Sequence, residues 1–445
     1  MTISRTICLG FLTLIAVGTI LLMMPFSTSS GNWNDPIVAL FTATSAVCVT
    51  GLIVVDTGSY FSGLGQFVVL ALFQIGGLGY MTTTTFLILL VGRKFNLRHK
   101  IAIQRALDRP GLQDSPSLIR SIIGTALFFE ITGIFLLLLV FVPDYGWDKG
   151  LWLSIFHSIS AWNNAGFSLF SDSLMGYQSS VLLNLIVTGL IIFGGIGQQV
   201  IFEISIWIRA RLLKNRPRRF RFSLNVKVVT STTLVLLFLG TVAFFFVEIN
   251  NSQTLGELNT KEQLLAAWFQ SVTTRTAGFN SVDFGKMTTT GLFISIALMF
   301  VGASPGGTGG GVKTTTARII ASCTQASLQG KEEVHLYQRK VPIDLILKAV
   351  GVLFASVTTL IISTTLISVT DSQLPFLQIL FEVVSAFATV GLSTGITATI
   401  SAWGKLVLII TMYIGRVGVL LLMAAILGDP RPSAIRYPEE ELLVG

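Results

Sequence analysis

Thr389-Val390-Gly391-Leu392 is the stretch from which this sequence is best read. It lies between two apolar segments and closes a short amphipathic stretch that starts near Pro375. The same setting recurs at Val49-Thr50-Gly51-Leu52, at Asn163-Asn164-Ala165-Gly166-Phe167 and at Thr274-Arg275-Thr276-Ala277-Gly278-Phe279. The four glycines are 115, 112 and 113 residues apart. Each unit therefore reads as span, half-span, polar turn, span.

Composition places these units in a bilayer. Hydrophobic residues make up 52% of the 445 residues and charged residues 12%. A soluble chain carries about twice that charge. The apolar runs reach the roughly 20 residues that a spanning helix needs, and spans in lipid must be helical to satisfy their backbone. The net charge of +8 raises nucleic acid as a partner, but the basic residues cluster in a few loops, as the positive-inside rule expects. The lipid bilayer is the expected partner, and no nucleic acid is. Cys8, Cys48 and Cys323 are far apart and show neither metal-ligand nor disulfide spacing. Ile7 to Met24 has the length of a signal peptide, but no small-residue cleavage site is evident and Pro25 follows. It reads as the first span.

The predicted architecture is all-α: four span–pore-loop–span repeats, with eight transmembrane helices and four short pore helices around a pseudo-fourfold central pore. Residues 1–92 form repeat one, with spans at Ile7–Met24 and about Gln66–Val91. Between them Asp35-Pro36 caps a helix too short to cross, Ile37 to Val47. Residues 93–214 form repeat two, with spans near Leu118–Val142 and Val181–Ile208. Residues 215–330 form repeat three. Its first span is Val228–Val247, Thr260 with Gln263 reads as a capping box, and its second span starts near Gly291 and is interrupted. Residues 331–445 form repeat four with a C-terminal tail, and its spans are near Leu345–Val369 and Leu406–Leu427.

Two crossings return the chain to its starting side, so the repeats are parallel, related by an axis along the membrane normal. The loops between repeats hold Arg93, Lys94, Arg98, Lys100 and Arg105, then Arg209, Arg211, Lys214, Arg216, Arg218, Arg219, Arg221 and Lys227. These loops and both termini are predicted cytoplasmic. The turn-bearing loops carry Asp35, Asp56, Asp144, Asp172, Glu248, Glu257 and Asp283 and face outside. A second echo falls in the second spans: Ile75-Gly76-Gly77-Leu78-Gly79, Phe193-Gly194-Gly195-Ile196-Gly197 and Ile414-Gly415-Arg416-Val417-Gly418, with Val301-Gly302-Ala303-Ser304 in that place in repeat three. Small residues there let helices approach closely.

An ion leaving water needs its hydration shell replaced, and extended backbone carbonyls do this. Irregular backbone is tolerated at membrane depth where it lines a cavity. Glycine permits the dihedral angles that aim carbonyls at an axis, and the C-terminal end of a short helix adds partial negative charge. Carbonyl oxygens are hard ligands suited to an alkali cation. No turn presents Asp or Glu at its glycine, which argues against a calcium-type carboxylate ring.

Thr389-Val390-Gly391-Leu392 resembles the Thr-Val-Gly core of a potassium-channel selectivity filter, and the other three turns are similar to it. Four single-glycine copies on a span–loop–span repeat resemble the superfamily of Trk, Ktr and HKT potassium transporters, over essentially the whole chain. Length favours the membrane (pore) subunit of the Ktr type. The resemblance implies that Gly51, Gly166, Gly278 and Gly391 form the potassium filter in the cell membrane, with Val49, Thr50, Asn164, Ala165, Thr276, Ala277, Thr389 and Val390 beside them and potassium at the backbone carbonyls. It further implies a homodimer, a cytosolic ring of RCK-type subunits carrying the regulatory nucleotide, and sodium as a candidate activator. No cofactor is expected on this chain.

Gly302-Ala303-Ser304-Pro305-Gly306-Gly307-Thr308-Gly309-Gly310-Gly311-Val312-Lys313-Thr314 breaks the second span of repeat three. It is no phosphate-binding P-loop, because Val312 separates Gly311 from Lys313 and no buried strand precedes it. A cytoplasmic linker is one reading. The break starts level with mid-span residues of the other repeats, which favours a loop inside the membrane, and the resemblance places a gate there, at Gly306 to Gly311 with Lys313. Among the second spans this is the one long break the sequence shows. Arg416 sits mid-span, where charge costs about 2.5–3.5 kcal/mol on insertion scales. It either pairs with an acid such as Glu130, Glu203 or Glu382, or faces the pore as part of the gate. Arg275 reads as a solvated charge near the filter mouth or a filter brace, and His157, Trp162 and Phe167 as packing.

The leading function is potassium uptake through a gated channel-like pore. The alternative is a secondary transporter of another monovalent cation or a small polar solute, disfavoured by the parallel fourfold repeat and by the lack of paired charges. An enzyme is disfavoured because no His, Cys, Asp or Glu cluster has catalytic or metal spacing.

Overall fold

The computed structural model describes residues 3–79, 115–212 and 221–428. The basic loop of residues 93–105, Lys214 to Arg219, the far end of the second span of repeat one and the C-terminal tail lie outside the described residues. Four helices are long and apolar enough to cross a membrane. They belong to α1 (Ile3–Met23), α4 (Ser115–Tyr145), α8 (Leu224–Glu248) and α12 (Ile343–Thr370). Each lies at the start of one of the four units expected from the sequence, repeats one to four. Their outward faces expose Leu12, Phe128, Phe238 and Phe354, a surface that suits hydrocarbon and not water.

Each long helix packs on the short helix that follows it: α2 (Pro36–Val47), α5 (Trp147–Asn163), α9 (Thr260–Thr273) and α13 (Phe376–Phe387). Asp35 caps α2 as expected, its Oδ1 accepting from the Ile37 and Val38 amides at 2.7 and 3.2 Å. In α9 the capping box is one residue earlier than the sequence suggests. Asn259 is the cap and Glu262 returns the bond to its amide. Asparagine is the stronger cap, because its carbonyl reaches two amides of the first turn.

The second spans depart further from expectation. Repeat one has α3 (Gly63–Leu78), which ends at Gly79 with φ +80°. Repeat two has α6 (Val181–Gly195) and α7 (Gln198–Leu212), bent by 105°. Repeat three has α10 (Thr289–Phe300) and α11 (Thr314–Leu328), separated by the glycine loop. Repeat four has α14 (Ala402–Val417) and α15 (Val419–Leu427), bent by 94° at Gly418. The continuous spans expected at Val181–Ile208 and Leu406–Leu427 are therefore broken. Positive φ at Gly79, Gly197 and Gly418 cannot continue a right-handed helix. Eight uninterrupted crossings are not present among the described residues. Beyond the helices, β1 (His335–Leu336) and β2 (Arg339–Lys340) form a small antiparallel hairpin.

The second spans also link neighbours. α3 packs on α5, α6 on α9, α10 on α13, and α14 on α2. The contacts close a ring in chain order. Glycine allows second span and short helix of one repeat to touch at backbone distance. A Cβ on Gly76, Gly194 or Gly415 would run into the carbonyl of Val47, Trp162 or Phe387, 2.9, 3.0 and 2.7 Å from its carbon. In repeat three Gly302 meets the carbonyl of Gly310 instead.

Gly415→Ala should destabilise the purified protein by about 1–3 kcal/mol, the usual penalty of overpacking. Gly351→Ala, in α12 with open space around it, should cost nothing and gain up to about 1 kcal/mol. Thermal unfolding in detergent checks the contrast, and equal behaviour of the two variants would refute the close-contact role.

Candidate functional site: four turns above a broken span

The four turns share one unusual backbone. Val49, Asn164, Thr276 and Thr389 have φ of +57°, +57°, +67° and +51°. Two residues later Gly51, Gly166, Gly278 and Gly391 have φ of +86°, +71°, +82° and +90°. Three of the four non-glycine residues are β-branched, for which this region is a real outlier, costing roughly 1–2 kcal/mol each. Such strain persists only where the surroundings fix it. Here the short helices do so. The amides of Thr50, Ala165 and Val390 donate to the carbonyls of Ser45, Ser160 and Ser385, each at 2.8 Å, and Ala277 donates to Thr273 at 3.0 Å. Ser160 and Thr273 hydroxyls then donate to the carbonyls of Phe167 and Phe279 at 2.8 and 2.5 Å, and the Gly391 amide donates to Ser385 Oγ at 3.1 Å. The twelve filter residues named from sequence thus come together in four matching turns.

The glycines face one another in order. A Cβ on Gly51 would collide with the Ala165 carbonyl, and one on Gly391 with the Thr50 carbonyl. On Gly166 it would stand 2.8 Å from the Ala277 oxygen, and on Gly278 2.6 Å from the Val390 oxygen. The carbonyl met is in every case that of the residue before the next glycine. The sequence of contacts runs one, two, three, four and back to one.

Below the turns lies the loop from Val301 to Lys313. Its two ends are held together by Gly302 N to Val312 O at 2.9 Å and Ala303 N to Gly310 O at 3.2 Å. The broken second span of repeat two receives its middle: Ser304 and Thr308 amides donate to Gly195 and Gly194, at 3.1 and 3.2 Å, and Gln198 N donates to Gly306 at 3.2 Å. Its upper side touches the turns. Gly310 N donates to Thr389 Oγ1 at 2.8 Å, Thr308 Oγ1 to Asn164 Oδ1 at 3.2 Å, and Gly309 abuts Thr276 Oγ1. Asn164 Nδ2 reaches the Arg275 carbonyl and Thr276 Oγ1, both at 3.4 Å. On the other side Gly306, Gly307, Thr308 and Gly311 line a cavity of about 380 Å³ with Lys313 and Arg416. Lys313 Nζ donates to the Gly309 carbonyl at 2.8 Å.

Neither arginine behaves as a salt-bridge partner. Arg416 donates to the carbonyls of Thr308 in the loop and Gly76 in repeat one. The acids proposed for it are engaged elsewhere: Glu130 with Gln74, Glu203 with Gln199 and the Ser223 amide, Glu382 with Ser393 and Thr397. Arg275 is 8% exposed and is no solvated charge at the mouth. Its guanidinium donates to Val301 and Gly302 at 3.4 and 3.1 Å, at the start of the loop. Carbonyl clusters suit a guanidinium because it presents five donors and accepts nothing. His157, Trp162 and Phe167 are fully buried among aromatic rings, as expected.

The TrkH family of cation transport proteins matches residues 6–432. The chain belongs to the TrkH family. It is 40% identical to Ktr system potassium uptake protein B of Bacillus subtilis (strain 168), across 100% of this chain and 97% of that protein. A protein of the same name from Vibrio alginolyticus is also 40% identical, over 99% and 94%. Potassium/sodium uptake protein NtpJ of Enterococcus hirae is 37% identical, over 99% and 97%. Among solved structures, the potassium transporter TrkH from Vibrio parahaemolyticus shares the fold, with a TM-score of 0.71 at 18% identity over 95% of this chain and 84% of that one. Family and apolar helices together make this a membrane protein.

Sequence reasoning did not anticipate the receiving carbonyls of Gly76, Gly194 and Gly195 in this TrkH-family site. Carbonyl acceptors carry no residue signature, and only the register of the glycine clusters pointed to them. It also missed Thr389 as the contact between turn and loop. Thr389→Val keeps the shape but leaves the Gly310 amide without its acceptor, a loss of about 1–3 kcal/mol for a buried donor. Hydrogen exchange of the Gly310 segment should accelerate by about tenfold or more, while the long helices exchange as in wild type. Unchanged protection there would show that the loop is held independently of the turn.

Proposed function

We propose that the chain is the pore-forming subunit of a potassium uptake system, with the four glycine turns as its filter. The single observation that carries this is the closed order of contacts in which each turn glycine abuts the carbonyl preceding the next. Four equivalent carbonyl groups around a common centre are the arrangement that replaces the water shell of an alkali cation. The names of the full-length relatives supply potassium as the cation, and the name of the Enterococcus hirae relative supports sodium as a second ion.

In this reading residues 1–92, 93–214, 215–330 and 331–445 are four parallel repeats about a pseudo-fourfold axis. Each first span ends outside, and the basic loops and termini are cytoplasmic. The loop at Gly306 to Gly311 closes the path, because one side touches the second, third and fourth turns and the other lines the inner cavity. Arg416 holds it shut at Thr308 and adds a positive charge that opposes a cation. A regulatory partner acts by shifting the loop. The relatives' description as parts of a Ktr system supports a second component, which we take to be a cytosolic nucleotide-binding ring of the RCK type, with the pore subunit as a homodimer.

Rubidium flux in proteoliposomes of the purified chain tests both halves. Gly391→Ser must displace the Thr50 carbonyl, so it should lower potassium preference over sodium by about tenfold, or roughly 1.4 kcal/mol. Wild-type selectivity in this variant and in Gly51→Ser would end the filter assignment. Arg416→Ala should raise flux in the absence of any partner and leave selectivity intact, and flux no faster than wild type in the folded variant would place the gate elsewhere.

A further inference from the structure

The four short helices carry one more matched position. Ser45, Ser160, Thr273 and Ser385 are equivalent, since each carbonyl receives the amide of the residue before the turn glycine. One helical turn earlier, on the same face, stand Thr42, His157, Gln270 and Glu382. Three of these reach over the turn to the segment beyond its glycine. His157 Nε2 lies 3.0 Å from Ser168 Oγ. Its Nδ1 lies 2.8 Å from the Leu153 carbonyl, which only accepts, so Nδ1 carries the hydrogen and Nε2 accepts from Ser168. Gln270 Nε2 donates to Ser281 Oγ at 3.0 Å. Glu382 Oε1 accepts from Ser393 Oγ at 2.7 Å, the Thr394 amide at 2.9 Å and Thr394 Oγ1 at 3.3 Å, and Oε2 accepts from Thr397 Oγ1 at 2.7 Å. All three side chains are at most 1% exposed. Repeat one differs. Ile53 stands two residues after its glycine, where the second and fourth turns have Ser168 and Ser393, and the buried Thr42 hydroxyl has no hydrogen-bond partner among the described residues.

We propose that His157, Gln270 and Glu382 are positioning residues for ion selection. Each ties the chain beyond its glycine to its own short helix. This inference rests on the filter reading above. The physical need is clear. A carbonyl ring tells potassium from sodium only while it resists shrinking onto the smaller ion, and a site must be held to about 0.5 Å by side chains that are themselves fixed. The strained residue lies before the glycine and is fixed by the helix end. The segment after the glycine needs its own tie, and three different side chain types supply it at one position. Their chemistry differs while the geometry is kept, which is the pattern of a mechanical function and not of a shared ligand.

The test is a double-mutant cycle on Gln270→Met and Ser281→Ala in the purified full chain, reading the ratio of rubidium to sodium flux in proteoliposomes. Each single change should lower the ratio by about fivefold, the scale of one lost hydrogen bond. The double variant should be no worse than the more damaging single one. Glu248→Gln is the control. Glu248 is equally buried and bound to Thr288 and Thr254, but it ties the end of α8 away from the turns, so its ratio should match wild type. Wild-type ratios in both single variants, multiplying effects in the double, or an equal fall in the control would each overturn the proposal. If Gln270→Met does not fold, Ser281→Ala and Ser168→Ala, which lose one oxygen each, decide it by the same ratio. A wild-type protein without discrimination would overturn the filter reading itself, whereas selectivity lost in Gly391→Ser and kept in the tie variants overturns this inference alone.

Discussion

The approach of each turn glycine to the carbonyl of the next turn is the constraint on which the rest of the molecule depends. Nothing larger than hydrogen fits at Gly51, Gly166, Gly278 or Gly391, and backbone can come this close only if every turn adopts the same left-handed step before it. Three of the four residues taking that step are β-branched, so the turns do not hold their shape by local preference. They are held by the C-terminal ends of the short helices, three of which are held in turn by the glycine contacts of the second spans at Gly76, Gly194 and Gly415. Strain at the centre is thus balanced by close packing one layer out.

The loop below is attached in another way. Its contacts are mostly hydrogen bonds, to backbone groups and to polar side chains of three repeats, with few apolar side chains to bury. Bonds of this kind are individually worth about 0.5–1.5 kcal/mol net, and water can replace them. Two arginines without an acidic partner among the described residues act at separate points, Arg275 at the loop's first residues and Arg416 at its tip. The first contact is within one repeat and the second between repeats. A motion of repeat four against repeat three therefore loosens the tip and leaves the base in place.

The turns are legible in the sequence because a glycine closing a short amphipathic stretch, repeated four times at nearly equal spacing, does not arise from ordinary helix packing. The long first spans are legible because hydrophobic length is a strong signal. The bends at Gly197 and Gly418 are not. A glycine in an apolar helix looks the same whether it packs closely or turns the chain, and only tertiary contacts decide. The cap at Asn259 is easily misplaced by one residue because Thr260 beside it also suits the role. The partners of Arg416 are hidden because charge points to acids, while the acceptors are carbonyls that any residue possesses. His157 reads as packing, which its aromatic surroundings support, and its tie to Ser168 depends on how the segment beyond Gly166 folds back.

The packing of α14 on α2 has a consequence for biosynthesis. Every other neighbouring pair in the ring joins consecutive repeats, so these contacts can form as the chain is inserted. The last pair joins residues of the fourth repeat to residues of the first, and contacts so distant in sequence form late. Until then the fourth turn is missing, Gly278 has no carbonyl against it and the Thr50 carbonyl has no glycine against it. If the turns are the filter proposed above, a partly synthesised chain holds an open arc of turns and no completed carbonyl ring.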